Sequence, residues 1–336
     1  MAENVNGENL ENAINKNRLV QNEIKMNLNK STRQTTNRLQ PINKLENAIM
    51  NISKKLFLIA ITSIFIISVQ AQLPVATTAD KAMYGSNKKV GKYINIRGLN
   101  MYYETYGAGK PLLIIHGNSG SIKDFSKQIP YFSKEYKVIL ADSRAQGKSV
   151  DTGDSLNYEM MADDLNALLD KLRFDSCYVI GWSDGGINGL LLAMRHPEKV
   201  KKLAVTGANL WPDTTAVEPT LFNWLANFVD SLKGVKQTPE IKNEYKLLAM
   251  MTKEPNITLE QLHSIKCPTL VIGGDHDALL PKHTLLIADA IPQSYLWIIP
   301  NSGHSTPINY SKQFNETIND FFKKPYRVIE GMERLN

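Results

Sequence analysis

A chain of 336 residues with 43% hydrophobic and 21% charged side chains has ample apolar material for one sizeable core, and it shows no internal repeat of the kind that builds solenoids. Its net charge of +6 is concentrated at one end: residues 1 to 55 hold nine Lys/Arg against five Asp/Glu, which leaves 30 against 28 for the rest. That near-neutral body gives no reason to expect a nucleic-acid partner.

The first fifty residues are rich in Asn and Lys and poor in aromatics. Residues 1–49 are therefore expected to be a disordered extension, or to precede a true translation start at Met50. Lys54-Lys55 then introduces fourteen residues without a charge, Leu56 to Val69. Val69-Gln70-Ala71 places small residues where a signal peptidase inspects the chain, so 50–71 reads as a signal peptide. Fourteen residues fall short of the roughly 20 needed to cross a bilayer, so no stable membrane anchor is expected. The mature protein would begin near Gln72, with 72–91 as a linker, and would be exported to a periplasmic or extracellular location.

Tyr93-Ile94-Asn95-Ile96 and Met101-Tyr102-Tyr103-Glu104-Thr105 flank Arg97-Gly98-Leu99-Asn100, an opening hairpin. Gly107-Ala108-Gly109-Lys110 lacks the spacing of a phosphate loop and precedes a strand instead of following one. From there strands are predicted near 111–115, 137–141, 176–181, 202–206, 268–272 and 295–299. Helices are predicted near 122–133, 158–172, 184–196, 284–291 and 309–323. Between about 210 and 265 this rhythm gives way to helical periodicity. Leu221, Trp224, Leu225, Phe228, Val229 and Leu232 form one apolar stripe, and Tyr245, Leu248 and Met251 hint at a second. Cys177 and Cys267 each open a predicted core strand and are expected to be buried thiols. Histidine spacing and Asp275-x-Asp277 give no metal site, and no cofactor is expected.

The residues that carry chemistry punctuate the strand ends. Gly181-Trp182-Ser183-Asp184-Gly185 follows the apolar run Cys177 to Ile180, the context of a strand–turn–helix that exposes a serine. His116-Gly117-Asn118-Ser119-Gly120 follows Leu112 to Ile115 and can aim the Asn118 N–H at a developing oxyanion. Gly274-Asp275-His276-Asp277 closes another strand with two candidate carboxylates. Ser302-Gly303-His304 follows the last strand and supplies a base.

Taken in the order Ser, Asp, His, these motifs resemble the α/β-hydrolase superfamily from about Lys92 to about Phe322. The resemblance implies a mostly parallel central sheet flanked by helices over 92–323, a small helical cap inserted at about 210–265, and a C-terminal tail over 324–336. It implies Ser183 as nucleophile, His304 as base and the backbone N–H groups of Asn118 and Asp184 as the oxyanion hole. Asp277 matches the family's acid because it precedes Ala278-Leu279-Leu280-Pro281, and His116 then supports the oxyanion loop without taking a proton. In Asp142-Ser143-Arg144-Ala145-Gln146-Gly147, Ala145 stands where relatives usually have glycine.

The elbow, with Gly207-Ala208-Asn209, is most similar to the valacyclovir-hydrolase or biphenyl-hydrolase-like branch. There the acid matching Asp184 receives a substrate α-ammonium group, whereas helix-dipole stabilisation alone is the plainer account of an acid in a first turn. The expectation is a monomeric or weakly associated serine hydrolase acting on small or medium carboxylic esters, with α-amino-acyl esters as a candidate preference. A carbon–carbon or enol-lactone hydrolase, an aminopeptidase and a ligand-binding protein on the same fold remain alternatives.

Overall fold

Leu112 to Ile115, Val138 to Leu140, Val179-Ile180 and Leu270 to Ile272 are unbroken apolar runs, the pattern of strands covered on both faces. In the computed structural model, which describes residues 83–236 and 238–335, they form the middle of one eight-stranded sheet. The strands are β1 (Lys92–Ile96), β2 (Leu99–Tyr106), β3 (Lys110–Ile115), β4 (Tyr136–Ala141), β5 (Cys177–Trp182), β6 (Val200–Thr206), β7 (Thr269–Gly274) and β8 (Ser294–Ile299). Their order is β1-β2-β4-β3-β5-β6-β7-β8, with β2 antiparallel to its neighbours and β3 to β8 parallel. The expectations for residues 1–49, for the signal peptide 50–71 and for the linker up to residue 82 lie outside the described residues.

Strand alternation divides the core in two. Leu113, Ile115, Val179 and Val271 face a layer with Met161, Leu165 and Leu168 of α1 (Tyr158–Lys171) and Ile187, Leu190 and Leu191 of α2 (Asp184–Arg195). Leu112, Ile114, Ile180 and Ile272 face the opposite layer, which Phe125, Ile129, Phe314, Ile318 and Phe322 complete. Burial of each such side chain contributes about 1.5–3 kcal/mol, so the strand ends that carry the polar motifs sit on a rigid base.

Two helix expectations need correction because the stretch divides. The stretch 122–133 is a 3-10 turn (Ile122–Phe125) and a separate helical turn (Ile129–Phe132). Pro130 has no N–H to continue a helix begun upstream and serves instead at the start of a new turn. Residues 309–323 likewise divide into Thr306–Asn309 and a helix over Ser311–Lys323, because Tyr310 leaves the helical region at φ −114 and ψ 31.

Between β6 and β7 lie α3 (Pro219–Leu232), α4 (Pro239–Met251) and α5 (Leu259–His263). The α3 stripe packs only in its C-terminal half. Val229 and Leu232 are buried, while Leu221 and Trp224 are 46% and 39% exposed and Trp224 stacks on Phe228. On α4 the buried face is Leu247, Ala249 and Met250, not Tyr245, Leu248 and Met251. Lys246 explains part of that rotation, since its Nζ is drawn 2.7 Å from Asp151 in the body. Helix α6 (Pro281–Ala290) follows β7 and begins three residues earlier than the periodicity suggests, with Pro281 at its first position.

Candidate active site

Ser183 occupies the turn between β5 and α2 with φ 58 and ψ −123, a backbone region that costs a residue with a side chain about 1–3 kcal/mol. Neighbouring glycines permit it. A Cβ on Gly181 would lie 2.2 Å from the Gly185 carbonyl oxygen, and one on Gly185 would lie 2.1 Å from that of Ile115. The Ser183 N–H donates to the Thr206 carbonyl (2.9 Å), and its own carbonyl accepts the Gly186 and Ile187 N–H groups (2.7 and 3.2 Å). The strained turn is thus held from both sides, with its hydroxyl lifted off the end of the sheet.

His304 is delivered to that hydroxyl by the loop after β8. Its Nε2 lies 3.0 Å from Ser183 Oγ and its Nδ1 lies 2.7 Å from Asp277 Oδ1. Asp277 is fully buried at its side chain and also accepts the Leu279 and Gly274 N–H groups (3.2 and 3.3 Å). Burial alone would raise its carboxyl; the hydrogen bond and charge of His304, with the two N–H groups, outweigh this and hold it below the ordinary value. Asp275 points elsewhere. It accepts the Ser302 N–H (3.0 Å), pairs with exposed His276 (2.8 Å), and is lowered to about 2 by the Asn301 backbone and then by His276.

Two supports of His304 come from residues to which the sequence motifs give no role. Gly207 adopts φ 62 directly beneath the imidazole, where a Cβ would approach Cε1 to 2.7 Å, and the Trp182 indole N–H donates to the His304 carbonyl (2.9 Å). Gly207 had a weak signal, a glycine immediately after a core strand. Nothing local marks Trp182, which lies 122 positions before its acceptor.

The loop after β3 is fixed by buried polar groups. His116 Nδ1–H donates to the Gly117 carbonyl (2.8 Å) while Nε2 accepts the Ser143 N–H (2.9 Å), and burial pushes the ring's pKa down, so it remains a neutral strut. A Cβ on Gly117 would meet the Ser183 Cβ at 3.0 Å, which places this loop against Ser183. Among the described residues, neither the Asn118 N–H nor the Asp184 N–H has an acceptor. Two unpaired donors beside a serine hydroxyl are what an oxyanion requires.

The family described as the alpha/beta hydrolase fold matches residues 110–255. A serine hydrolase, BPHL, from Mus musculus is 26% identical over 250 residues, spanning 68% of this chain and 85% of its own. This chain has the α/β-hydrolase fold. A 2-hydroxymuconate semialdehyde hydrolase from Pseudomonas sp. (strain CF600) is 26% identical over 268 residues, spanning 70% of this chain and 95% of its own. Among solved structures, Est816, an N-acyl homoserine lactone degrading enzyme, is similar with a TM-score of 0.55 and 25% identity, covering 68% of this chain and 100% of its own.

Within this α/β-hydrolase, Asp184 is enclosed. It is 2% exposed, its Oδ2 accepts the Asn118 Nδ2–H at 2.9 Å, and the Tyr158 hydroxyl lies close enough to the same carboxylate to stabilise its charge. Burial raises its carboxyl to about 6, against the lowering by Asn118, Tyr158 and His304. Because the folded value exceeds the unfolded one, this group makes the fold less stable as pH rises through the interval from about 4 to 6. Asp184→Asn, which keeps an oxygen for Asn118, is therefore expected to stabilise the protein at pH 7.5 by on the order of 3 kcal/mol. Thermal midpoints at pH 7.5 and 4.5 check this: an equal gain at both would rule out the buried charge as its cause.

The α/β-hydrolase body also carries a cleft of about 1050 Å3 between residues 145–156 and α4, lined in part by Val150, Asp151, Asn243, Lys246, Met250 and Glu254. Arg144, paired with Asp164 (2.6 Å) and Asp151 (3.0 Å), anchors this wall of the body. The alanine that replaces a usual glycine, Ala145, stands at φ 66, so that departure is carried as backbone strain next to Arg144. Among the described residues no helix is long and apolar enough to cross a membrane.

Proposed function

We propose that this chain is a serine hydrolase that cleaves small to medium carboxylic esters through an acyl-enzyme. The observation that carries the reading is the continuous chain Ser183 Oγ to His304 Nε2 at 3.0 Å and His304 Nδ1 to Asp277 Oδ1 at 2.7 Å. His304 takes the Ser183 proton as Oγ attacks the carbonyl carbon, and Asp277 stabilises the imidazolium while remaining ionised. The oxyanion binds to the N–H groups of Asn118 and Asp184, worth about 3 kcal/mol each in the transition state. His304 gives its proton to the departing alcohol oxygen. It then removes one from water as the water oxygen attacks the acyl carbon, and returns that proton to Ser183 Oγ as the C–Oγ bond breaks and the carboxylic acid leaves.

The expected preference for α-amino-acyl esters depends on a carboxylate free to meet an ammonium group. Asp184 is enclosed by Asn118 and Tyr158, which favours cleavage without a requirement for a free amine. Two matched esters, one with a free α-amino group and one acetylated, are expected to be cleaved at similar rates by the wild type. A strong preference for the free amine would restore ammonium recognition by Asp184. Similarity to the 2-hydroxymuconate semialdehyde hydrolase favours a carbon–carbon hydrolase as the second reading, and cleavage of a vinylogous diketone with neither ester touched would replace the first. The substrate is proposed as the sole partner of a monomeric or weakly associated enzyme, exported by the segment 50–71.

A further inference from the structure

The two residues whose backbone N–H groups form the proposed oxyanion hole are also joined through their side chains. Asn118 Nδ2–H donates to Asp184 Oδ2 at 2.9 Å across 66 positions of sequence. The Tyr158 hydroxyl, at the start of α1, sits near the same carboxylate and interacts with its charge. Tyr158 is 1% exposed and Asp184 2%, while the Asn118 end of the pair is only partly buried. Both ends of this chain also touch the segment inserted between β6 and β7: Asn118 Nδ2 lies 3.4 Å from the Leu247 carbonyl on α4, and the Tyr158 N–H donates to Glu254 Oε2 at 3.2 Å.

We propose that Tyr158 and the Asn118 side chain are positioning residues that act through the Asp184 carboxylate to fix the separation of the Asn118 and Asp184 N–H groups. The inference rests on the ester-hydrolase reading above and assigns the buried acid a purpose within it. Asn118 lies outside the sheet, in a turn closed by the Gly120 N–H on the Gly117 carbonyl at 3.1 Å, and Ser119 beside it adopts φ 55. Its N–H direction is therefore not set by a ladder of backbone bonds, whereas the Asp184 N–H is set by the elbow. A carboxylate reached from one side by the loop and from the other by α1 makes the loop's donor as well placed as the helix's. A burial cost that a neutral residue would avoid is then explained by geometry needed only when an oxyanion forms. The contacts with Leu247 and Glu254 extend this dependence to the seating of α4.

The test is a double-mutant cycle with Tyr158→Phe and Asn118→Ala on an activated ester, alongside inhibition by a trifluoromethyl ketone, whose hemiketal adduct places an oxyanion in the hole. Each variant is expected to lower kcat by roughly tenfold, less than the 10²–10³ lost when a donor is removed outright, with KM nearly unchanged. Inhibitor affinity should fall in parallel with kcat. Because both side chains work through one carboxylate, the combined loss should be smaller than the product of the single losses. Unchanged kcat in both single variants would overturn the relay, as would losses that multiply or that track only the fraction of folded protein at the assay temperature. Absence of Ser183-dependent turnover in the wild type would remove the underlying reading and the relay together; normal turnover with unaltered variants removes the relay alone.

Discussion

Ser183→Ala is expected to lower kcat by about 10⁶, to the residual level that binding and oxyanion donors supply without a nucleophile. His304 Nε2 has Ser183 Oγ at 3.0 Å, and Ser183→Ala removes that partner. Alanine meets the same φ 58 restriction as serine and leaves the Gly181 and Gly185 contacts intact, so the melting temperature should stay close to wild type. Steady-state assays with a chromogenic ester, paired with thermal denaturation, read both quantities. A residual rate within a hundredfold of wild type would show that His304 activates water directly, and the acyl-enzyme would have to be abandoned.

Asp277→Asn is expected to cost about 10⁴ in kcat, while Asp275→Asn retains most turnover. The carboxylate of Asp277 accepts from His304 Nδ1 at 2.7 Å, which leaves Nε2 free to accept the serine proton. An amide NH2 at that position donates to Nδ1 instead, and the imidazole must then carry its hydrogen on Nε2, facing Ser183. Asp275 has no contact with the imidazole of His304 and is occupied with the Ser302 N–H and His276. The two variants also differ in which oxygens face water. Asp277 is held below its ordinary pKa in the fold, so the stability it contributes is present above the unfolded value and lost as pH falls. Comparing kcat for the two variants decides between the carboxylates, and equal losses would mean that the imidazole turns toward Asp275 during turnover.

Much of this arrangement is legible in the amino-acid sequence because it lies at the ends of strands that announce themselves. Leu112 to Ile115 and Cys177 to Ile180 are apolar runs closed by glycine-containing turns, and a polar residue immediately beyond such a run has few places to go. Helices near the body's edge are less legible: Pro130 marks a break in one periodic stretch, and the backbone bonds of Ser126 to Phe132 place the two turns on either side of it. On α4 the buried face follows Lys246, whose partner Asp151 is 95 positions away. The same holds for Gly207 under His304 and for Asn118 against Asp184, where two distant segments meet through the sheet. Local periodicity contains no information about such meetings. Family resemblance favours Asp277 over Asp275, and among the described residues Asp277 is the carboxylate hydrogen-bonded to the His304 imidazole.

The two cysteines of the chain are both free and buried, Cys177 within β5 and Cys267 just before β7. Burial pushes their thiols up to about 12 and about 11, so almost no thiolate forms at neutral pH. Alkylating reagents therefore meet a silent background in the folded protein. A single cysteine placed on the exposed face of α3, at Asn223 for example, would take up a maleimide dye alone, and the chain is ready for fluorescence work without first removing its own thiols.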